Sequence, residues 1–269
     1  GEWQNRGFGV TLNVIAYQNI RKQLYWTINA NANHNKNKIR KISAYLQKIN
    51  ERQLASKGAP LPVLQEGYST TTLFTVRSLG IDPITGKEVF LTRDGQKTFE
   101  WSSNDKVPGG DTSPKLSGTS SSSLNYKDLS FNVGFTYKFG GIVYNSTLVD
   151  KIENRNIAYN LDRRAMSSRW QKPGDVTYFK KFSLDATASQ TEQSTRFIMD
   201  DDELKMSTMS IGYRMRYEKF NFLRKLNIDV LALNFTTNDL FRISRVKMER
   251  GLDYPFARSY TLSLSLIFK

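Results

Sequence analysis

Cysteine is absent from the 269 residues, and histidine occurs once, at position 34. A disulfide framework, a thiolate metal site, a Cys–His pair and a His-bearing triad are therefore unavailable within this chain. A cysteine-free composition also suits the periplasm and outer membrane, where stray thiols oxidise. No apolar run approaches the roughly 18 residues of a membrane helix. The mean hydropathy of -0.51 would suit a soluble protein. The chain opens on Gly1-Glu2-Trp3, with neither the basic start nor the apolar stretch of a secretory leader. The expectation is a numbering that begins after processing, or a piece of a longer chain.

What is present is alternation. Tyr260, Leu262, Leu264, Leu266 and Phe268 occupy every second position near the C-terminus, with Thr261, Ser263 and Ser265 between them and only Ile267 breaking the pattern. A side-chain period of two means a strand with one apolar and one polar face. The dyad recurs at Phe8–Val14, Leu24–Asn33, Phe131–Phe139 and Met209–Met215, and again from Leu226, fading toward Asn234 and Phe235. A soluble sandwich would carry Lys, Glu and Thr on its outward face. Here the polar partners are mostly Asn, Ser, Thr and Gly, which suits the wall of a hydrated lumen with the aromatic-rich face turned to lipid. The pattern predicts an all-β fold, an antiparallel transmembrane β-barrel segment that hides its apolar face from a hydropathy scan.

Gap lengths fix the expected topology. Tyr17 to Leu24, Gly140-Gly141 and Tyr217 to Leu226 are short, whereas 35–125, 151–205 and 234–258 are long. Outer-membrane barrels have short periplasmic turns and long extracellular loops, so the C-terminus is expected in the periplasm. About seven membrane strands result, an odd number where single-chain bacterial barrels have an even one. Seven strands would leave two open edges in lipid, so the sheet is expected to be part of a larger barrel.

Lys and Arg number 39 against 25 Asp and Glu, a net charge of +14. The cations scatter over Arg21-Lys22, Lys36–Lys41, Arg163-Arg164, Lys180-Lys181 and Arg245–Arg250, mostly between the expected strands. That dispersal argues against a nucleic-acid stripe and for strand ends that meet anionic headgroups or lipopolysaccharide phosphates. Catalysis has little support. His34 shares the parity of Trp26 and Ala32 and should face outward, and no carboxylate pair suits glycoside hydrolysis. Asp200-Asp201-Asp202-Glu203 lacks calcium-loop spacing and reads as solvated loop. The chain is not expected to be an enzyme, nor to hold a metal or cofactor.

The long connections carry a series of short motifs: Glu66-Gly67-Tyr68, Gly80-Ile81-Asp82-Pro83-Ile84-Thr85-Gly86, Arg93-Asp94-Gly95, Pro114-Lys115-Leu116 and Tyr126-Lys127-Asp128-Leu129-Ser130. Then follow Gly140-Gly141 with Tyr144-Asn145, Arg169-Trp170-Gln171-Lys172-Pro173-Gly174-Asp175, Arg196-Phe197-Ile198, Leu233-Asn234-Phe235 through Leu240-Phe241, and Tyr254-Pro255-Phe256-Ala257-Arg258. In this order the set resembles the C-terminal third of SusC/RagA-type TonB-dependent outer-membrane transporters of Bacteroidetes, over residues 1–269. Two departures stand out. The loop after Leu240-Phe241 reads Lys247-Met248-Glu249-Arg250-Gly251-Leu252-Asp253, and the C-terminal aromatic is penultimate, followed by Lys269.

The resemblance implies a barrel of roughly 22 strands, whose plug and earlier strands lie outside this chain. It also implies a SusD-like surface lipoprotein as lid, import of oligosaccharides or peptides, and TonB acting through the plug from the periplasm. Two other roles remain open, a structural or assembly subunit of an outer-membrane protein machine and a self-standing barrel that oligomerises. Trp101, Trp170 and Tyr178 in the long loops are the candidate substrate or partner contacts, since exposed aromatics beside polar groups suit recognition. For Trp170 packing within the loops is favoured. The Ser117–Ser123 run reads as a flexible polar loop.

Overall fold

The computed structural model describes residues 1–154, 162–182, 190–246 and 258–268. Its principal sheet runs through β1 (Glu2–Asn19) and β2 (Leu24–Lys41), then β7 (Leu116–Tyr126), β8 (Leu129–Phe139), β11 (Glu203–Arg216), β12 (Ile228–Asn238) and β14 (Tyr260–Phe268), each antiparallel to its neighbours. The short β13 (Arg242–Ser244) adds to β11. Seven strands therefore form the path. The sheet is not closed, with β1 and β14 at its two ends.

Register gathers the apolar residues onto one face. Val14 pairs with Ile28, Trp26 with Leu124, Leu124 with Phe131, Phe131 with Ile211, Ile211 with Phe235 and Phe235 with Leu262. Thr27, Ser123, Asn132, Ser210, Thr236 and Thr261 form a matching row on the opposite face. Those polar groups bond across strands: Ser123 to Asn132 at 2.5 Å, Asn132 to Ser210 at 3.3 Å and Asn31 to Thr119 at 2.5 Å. A one-residue slip would move every one of these side chains to the wrong face. Ile267, the residue that breaks the C-terminal alternation, pairs with Val230 beyond a register shift in β12 and β14.

Four sequence expectations need correction. The Ser117–Ser123 run is no loop: it is the middle of β7, paired with β2 and β8 along its length. Gly140-Gly141 is not a short hairpin turn. The tight turn joining β7 to β8 is Lys127-Asp128, where Lys127 takes φ 54°, and Gly140-Gly141 instead begins the long connection to β11. β2 continues to Lys41, so Lys36–Lys41 lies on a strand. β12 continues through Asn238, so Leu233-Asn234-Phe235 belongs to the wall rather than to a loop. The last long connection overlaps residues 247–257, and the motif Tyr254-Pro255-Phe256-Ala257 falls outside the described residues.

With those corrections the short turns, 20–23, 127–128 and 217–227, all lie on one side of the sheet. The connections that follow Lys41, Phe139 and Asn238 leave the sheet from the other. The first two fold into a body of their own. It contains the helix α1 (Ala44–Leu54), a four-stranded sheet in the order β5 (Lys97–Thr98), β4 (Glu88–Leu91), β3 (Thr72–Ile81), β6 (Lys106–Asp111), and a two-stranded pair β9 (Ile142–Tyr144) and β10 (Ile198–Asp200). Ser43 caps α1 by accepting from the Leu46 amide. Leu148, Val149, Ile152, Ala165, Phe179 and Phe197 make a buried cluster within the second connection.

Candidate functional site

Carboxylates and guanidinium groups hold the loop body together. Arg196 lies two residues before β10 and is almost wholly buried, with Glu88 of β4 and Glu153 each 2.7 Å from its Nη2. Burial opposes the Arg196 charge, but Glu153 and Glu88 outweigh it and hold the guanidinium above its ordinary range. Ser194 donates to Glu88 at 2.6 Å, and Thr191 to Glu153 at 3.3 Å. Arg169, 3% exposed, takes a different route. It donates to the backbone carbonyls of Ala165, Lys180, Ile152 and Glu153 at 2.7–2.9 Å. Its guanidinium also stacks over Phe182 at 4.0 Å, while burial lowers its pKa. Two cations and two anions thus meet inside the loop body, and charges so buried are tolerated only when paired and hydrogen-bonded.

The motifs that looked like separate signatures meet here. Pro83 O of the first loop accepts from the Trp170 indole N–H at 2.9 Å and from the Gly174 amide at 2.9 Å. Gly86 O accepts from the Lys181 amide at 3.0 Å. Asp82 accepts from the Thr85 hydroxyl at 2.6 Å, which closes the turn and lowers the carboxyl pKa. Asp175 closes its own turn by accepting from the Gln171 and Lys172 amides, and those bonds likewise lower its pKa. Arg196 joins the two loops a second time, through Glu88.

Each of the three candidate aromatics has its polar atom committed to a backbone carbonyl. Trp101 Nε1 donates to Gln193 O at 2.9 Å, with the Lys106 ammonium 5.4 Å and the Lys57 ammonium 5.9 Å from its ring. Trp170 lies against Gly86 and Pro83. Tyr178 donates to Arg196 O at 2.5 Å and meets the rings of Phe179 and Phe197 edge-on. Burial pushes its hydroxyl up to about 12, with Arg196 opposing and Glu153 and Glu88 adding to the rise. All three belong to the loop body, though they are not gathered on one recess.

A recess of about 880 Å³ lies elsewhere in that body, between the end of α1 and β6. Glu51, Leu54, Tyr68, Phe74, Arg93 and Lys106 are among its lining residues. Burial lowers the Lys106 ammonium to about 8, and its Nζ donates to Ser56 O at 2.8 Å. Sequence reading missed Lys106, Glu88 and Glu153, because isolated charges carry no pattern until the fold brings their partners. His34 keeps the outward parity, 5.3 Å from the Phe8 ring and 2.5 Å from Lys115 O. The Asp200–Glu203 run is ion-paired rather than merely solvated. Asp200 and Asp202 meet Arg245, Asp201 meets Lys138, and Glu203 meets Arg242.

No family model matches the chain. The TonB-dependent receptor P3 of Formosa agariphila is 23% identical over an alignment 308 positions long, covering all of this chain and 29% of that protein. A structure of the RagAB peptide transporter superposes on 98% of the chain with a TM-score of 0.75, at 19% identity and over 29% of its own length. The RagAB peptide importer in an open-open state gives a TM-score of 0.71 over 99% of the chain, at 18% identity. The chain matches a C-terminal part of a SusC/RagA-type transporter. It spans about 29% of the length of the relatives it matches. At these identities the likeness to solved structures is one of fold: the mostly antiparallel, unclosed sheet resembles part of the RagA barrel.

Proposed function

We propose that this chain is the wall and outer-surface portion of an outer-membrane TonB-dependent importer of oligosaccharides or peptides. A SusD-like surface lipoprotein covers its loops, and TonB acts through a plug carried outside residues 1–269. The observation that supports this reading most is the segregation of the connections. All tight turns lie on one side of a two-faced sheet, and the two longest connections build a packed body on the other. Barrels of the outer membrane place such loops outside the cell. β1 and β14 then pair with strands beyond this chain, because open backbone edges do not survive in lipid.

The loop body offers contact surface. Ile84, within the first of the two interlocked motifs, and Val176, directly after the second, are 73% and 88% exposed, and the Trp170 N–H to Pro83 O bond ties together the turns beside them. Exposed apolar groups rimmed by polar ones mark interaction surfaces. The reading predicts that Ile84→Asp with Val176→Asp, in the intact protein, lowers recovery of the lipoprotein on affinity purification while the barrel still assembles. Uptake of labelled oligosaccharides and of labelled peptides by the same cells separates the two substrate classes. Unchanged lipoprotein recovery together with no uptake of either cargo would reject the reading.

A further inference from the structure

We propose that the outward face of the β1–β2 hairpin, just beyond its apolar stripe, binds the phosphates of an anionic outer-leaflet lipid through Arg6, Lys36, Lys38 and Arg40. The register sets the stage. From Val14↔Ile28 through Leu12↔Ala30 and Val10↔Ala32 to Phe8↔His34, one face of the hairpin is apolar up to its last row. The next row on that face is Arg6↔Lys36, and the one after it is Gln4↔Lys38. Arg40 lies at the register shift and turns to the same face, since its guanidinium donates to the Gln4 side-chain oxygen.

Two like charges directly opposite each other destabilise a strand pair, so Arg6 facing Lys36 calls for an anion. Among the described residues no carboxylate forms an ion pair with any of the four, and all four are exposed. Cations on the same side of the sheet but on its polar face are neutralised: Lys138 by Asp201, Lys205 by Asp239 and Arg242 by Glu203. Glu2, paired in register with Lys41, is the acid beside the cluster at the strand end.

The opposite face of the same segment is already occupied. Ile39 is 2% exposed beneath Tyr68, whose carbonyl accepts from its amide, and Asn37 bonds Thr70. The four cations therefore cannot turn inward without breaking the hairpin's seat on the loop body. Height agrees as well. From Tyr17 to Phe8 a strand tilted by about 45° rises about 20–25 Å, the thickness of the apolar band, and each further row adds about 5 Å. The cluster thus stands at the level of lipid phosphates.

This site rests on the importer reading for its leaflet, because the long loops must lie outside the cell. The test uses the intact protein extracted from the outer membrane and native mass spectrometry with bisphosphorylated lipid A. Lys36→Gln with Lys38→Gln should weaken lipid A binding about 25-fold, taking about 1 kcal/mol for each cation beside an anionic surface. Lys36→Arg with Lys38→Arg should restore it. Dephosphorylated lipid A should bind wild type and variant alike. Equal lipid A binding by wild type and the Gln variant overturns the site, as does saturation of wild type by inorganic phosphate at the same concentration as lipid A. Capture of an acidic protein at these residues in place of lipid overturns it too. Wild type recovered outside the outer-membrane fraction overturns the importer reading and the site with it. Wild type that resides there, yet binds lipid A no better than the variant, overturns the site alone.

Discussion

The indole of Trp170 occupies the space where a side chain on Gly86 would begin. A Cβ built on Gly86 would come within 2.5 Å of Trp170 Cδ2, and the glycine sits at φ 68°. Two loops more than eighty residues apart in sequence are locked at this contact, and the Trp170 N–H to Pro83 O bond completes the lock. Gly86→Ala adds both a steric clash and a left-handed backbone penalty of about 1 kcal/mol or more. The variant should keep its barrel while residues 80–86 and 169–175 lose amide protection together in hydrogen exchange. Protection lost in only one of the two segments would show that the lock does not couple them.

Glu153→Gln should be among the most damaging substitutions in the loop body. It strips one of two carboxylates from Arg196 where both side chains are at most 4% exposed, and breaking a buried pair this way costs about 3–5 kcal/mol. Trypsin should then cut within the 140–202 connection at far lower denaturant than in wild type. Removing the guanidinium and both of its carboxylates, as Glu88→Gln and Glu153→Gln with Arg196→Met, should recover part of the loss, because neither carboxylate is left facing an absent guanidinium.

Tyr178 gives the loop body an alkaline limit. Its phenol is held up to about 12, against about 10 in an unfolded chain. Below pH 10 the phenol is neutral in both states and its contribution is fully present. Between pH 10 and 12 the unfolded chain releases the proton and the folded one keeps it, so stability falls as pH rises. Tyr178→Phe should flatten that decline in a pH series of loop-body proteolysis, at the expense of the hydrogen bond to Arg196 O. A slope that matches wild type would show that other groups set the alkaline limit.

Leu264 lies on the apolar face of β14, opposite Leu233. Leu264→Arg near the midplane should destabilise the barrel by about 2–4 kcal/mol in denaturant titrations from lipid vesicles, whereas Ser263→Arg, on the other face, should cost far less. Cysteines placed one at a time at Asn29 and Asn31 should react with water-soluble maleimides, and one at Ile28 should not. The reverse labelling would put the sheet one residue out of register.

Gly118 tests the strand that the sequence concealed. A Cβ there would lie 1.9 Å from Asn31 O and 2.7 Å from the Tyr137 hydroxyl, which itself donates to Asn31 O at 2.7 Å. Gly118→Val should therefore block pairing of β7 with β2 and abolish the heat-modifiable folded band in gel electrophoresis. Normal folding of that variant would mean the β2–β7 spacing is looser than the geometry requires.

The sequence by itself determined the two-faced strands wherever large apolar residues alternate with Asn, Ser, Thr and Gly, as in β1, β8 and β14. Period two is a local property that survives without knowledge of partners. It also placed the family motifs in order. It could not reveal β7, because Gly118, Ser120 and Ser122 stand at the apolar-face positions and leave no alternation to read. Those small residues are acceptable there only because larger neighbours cover them. Trp26 bonds Ser122 at 2.9 Å, and Phe135 and Tyr137 stand opposite Ser120 and Gly118. Nor could it show that Glu88, Glu153, Arg169 and Arg196 meet inside the loop body, since pairing across 43 and 108 residues is decided by folding alone. The four outward cations of the β1–β2 hairpin fall between these cases. Their residues were plain in the sequence, but only the register put them on one face, in the rows above the apolar stripe, with no carboxylate ion-paired to them among the described residues.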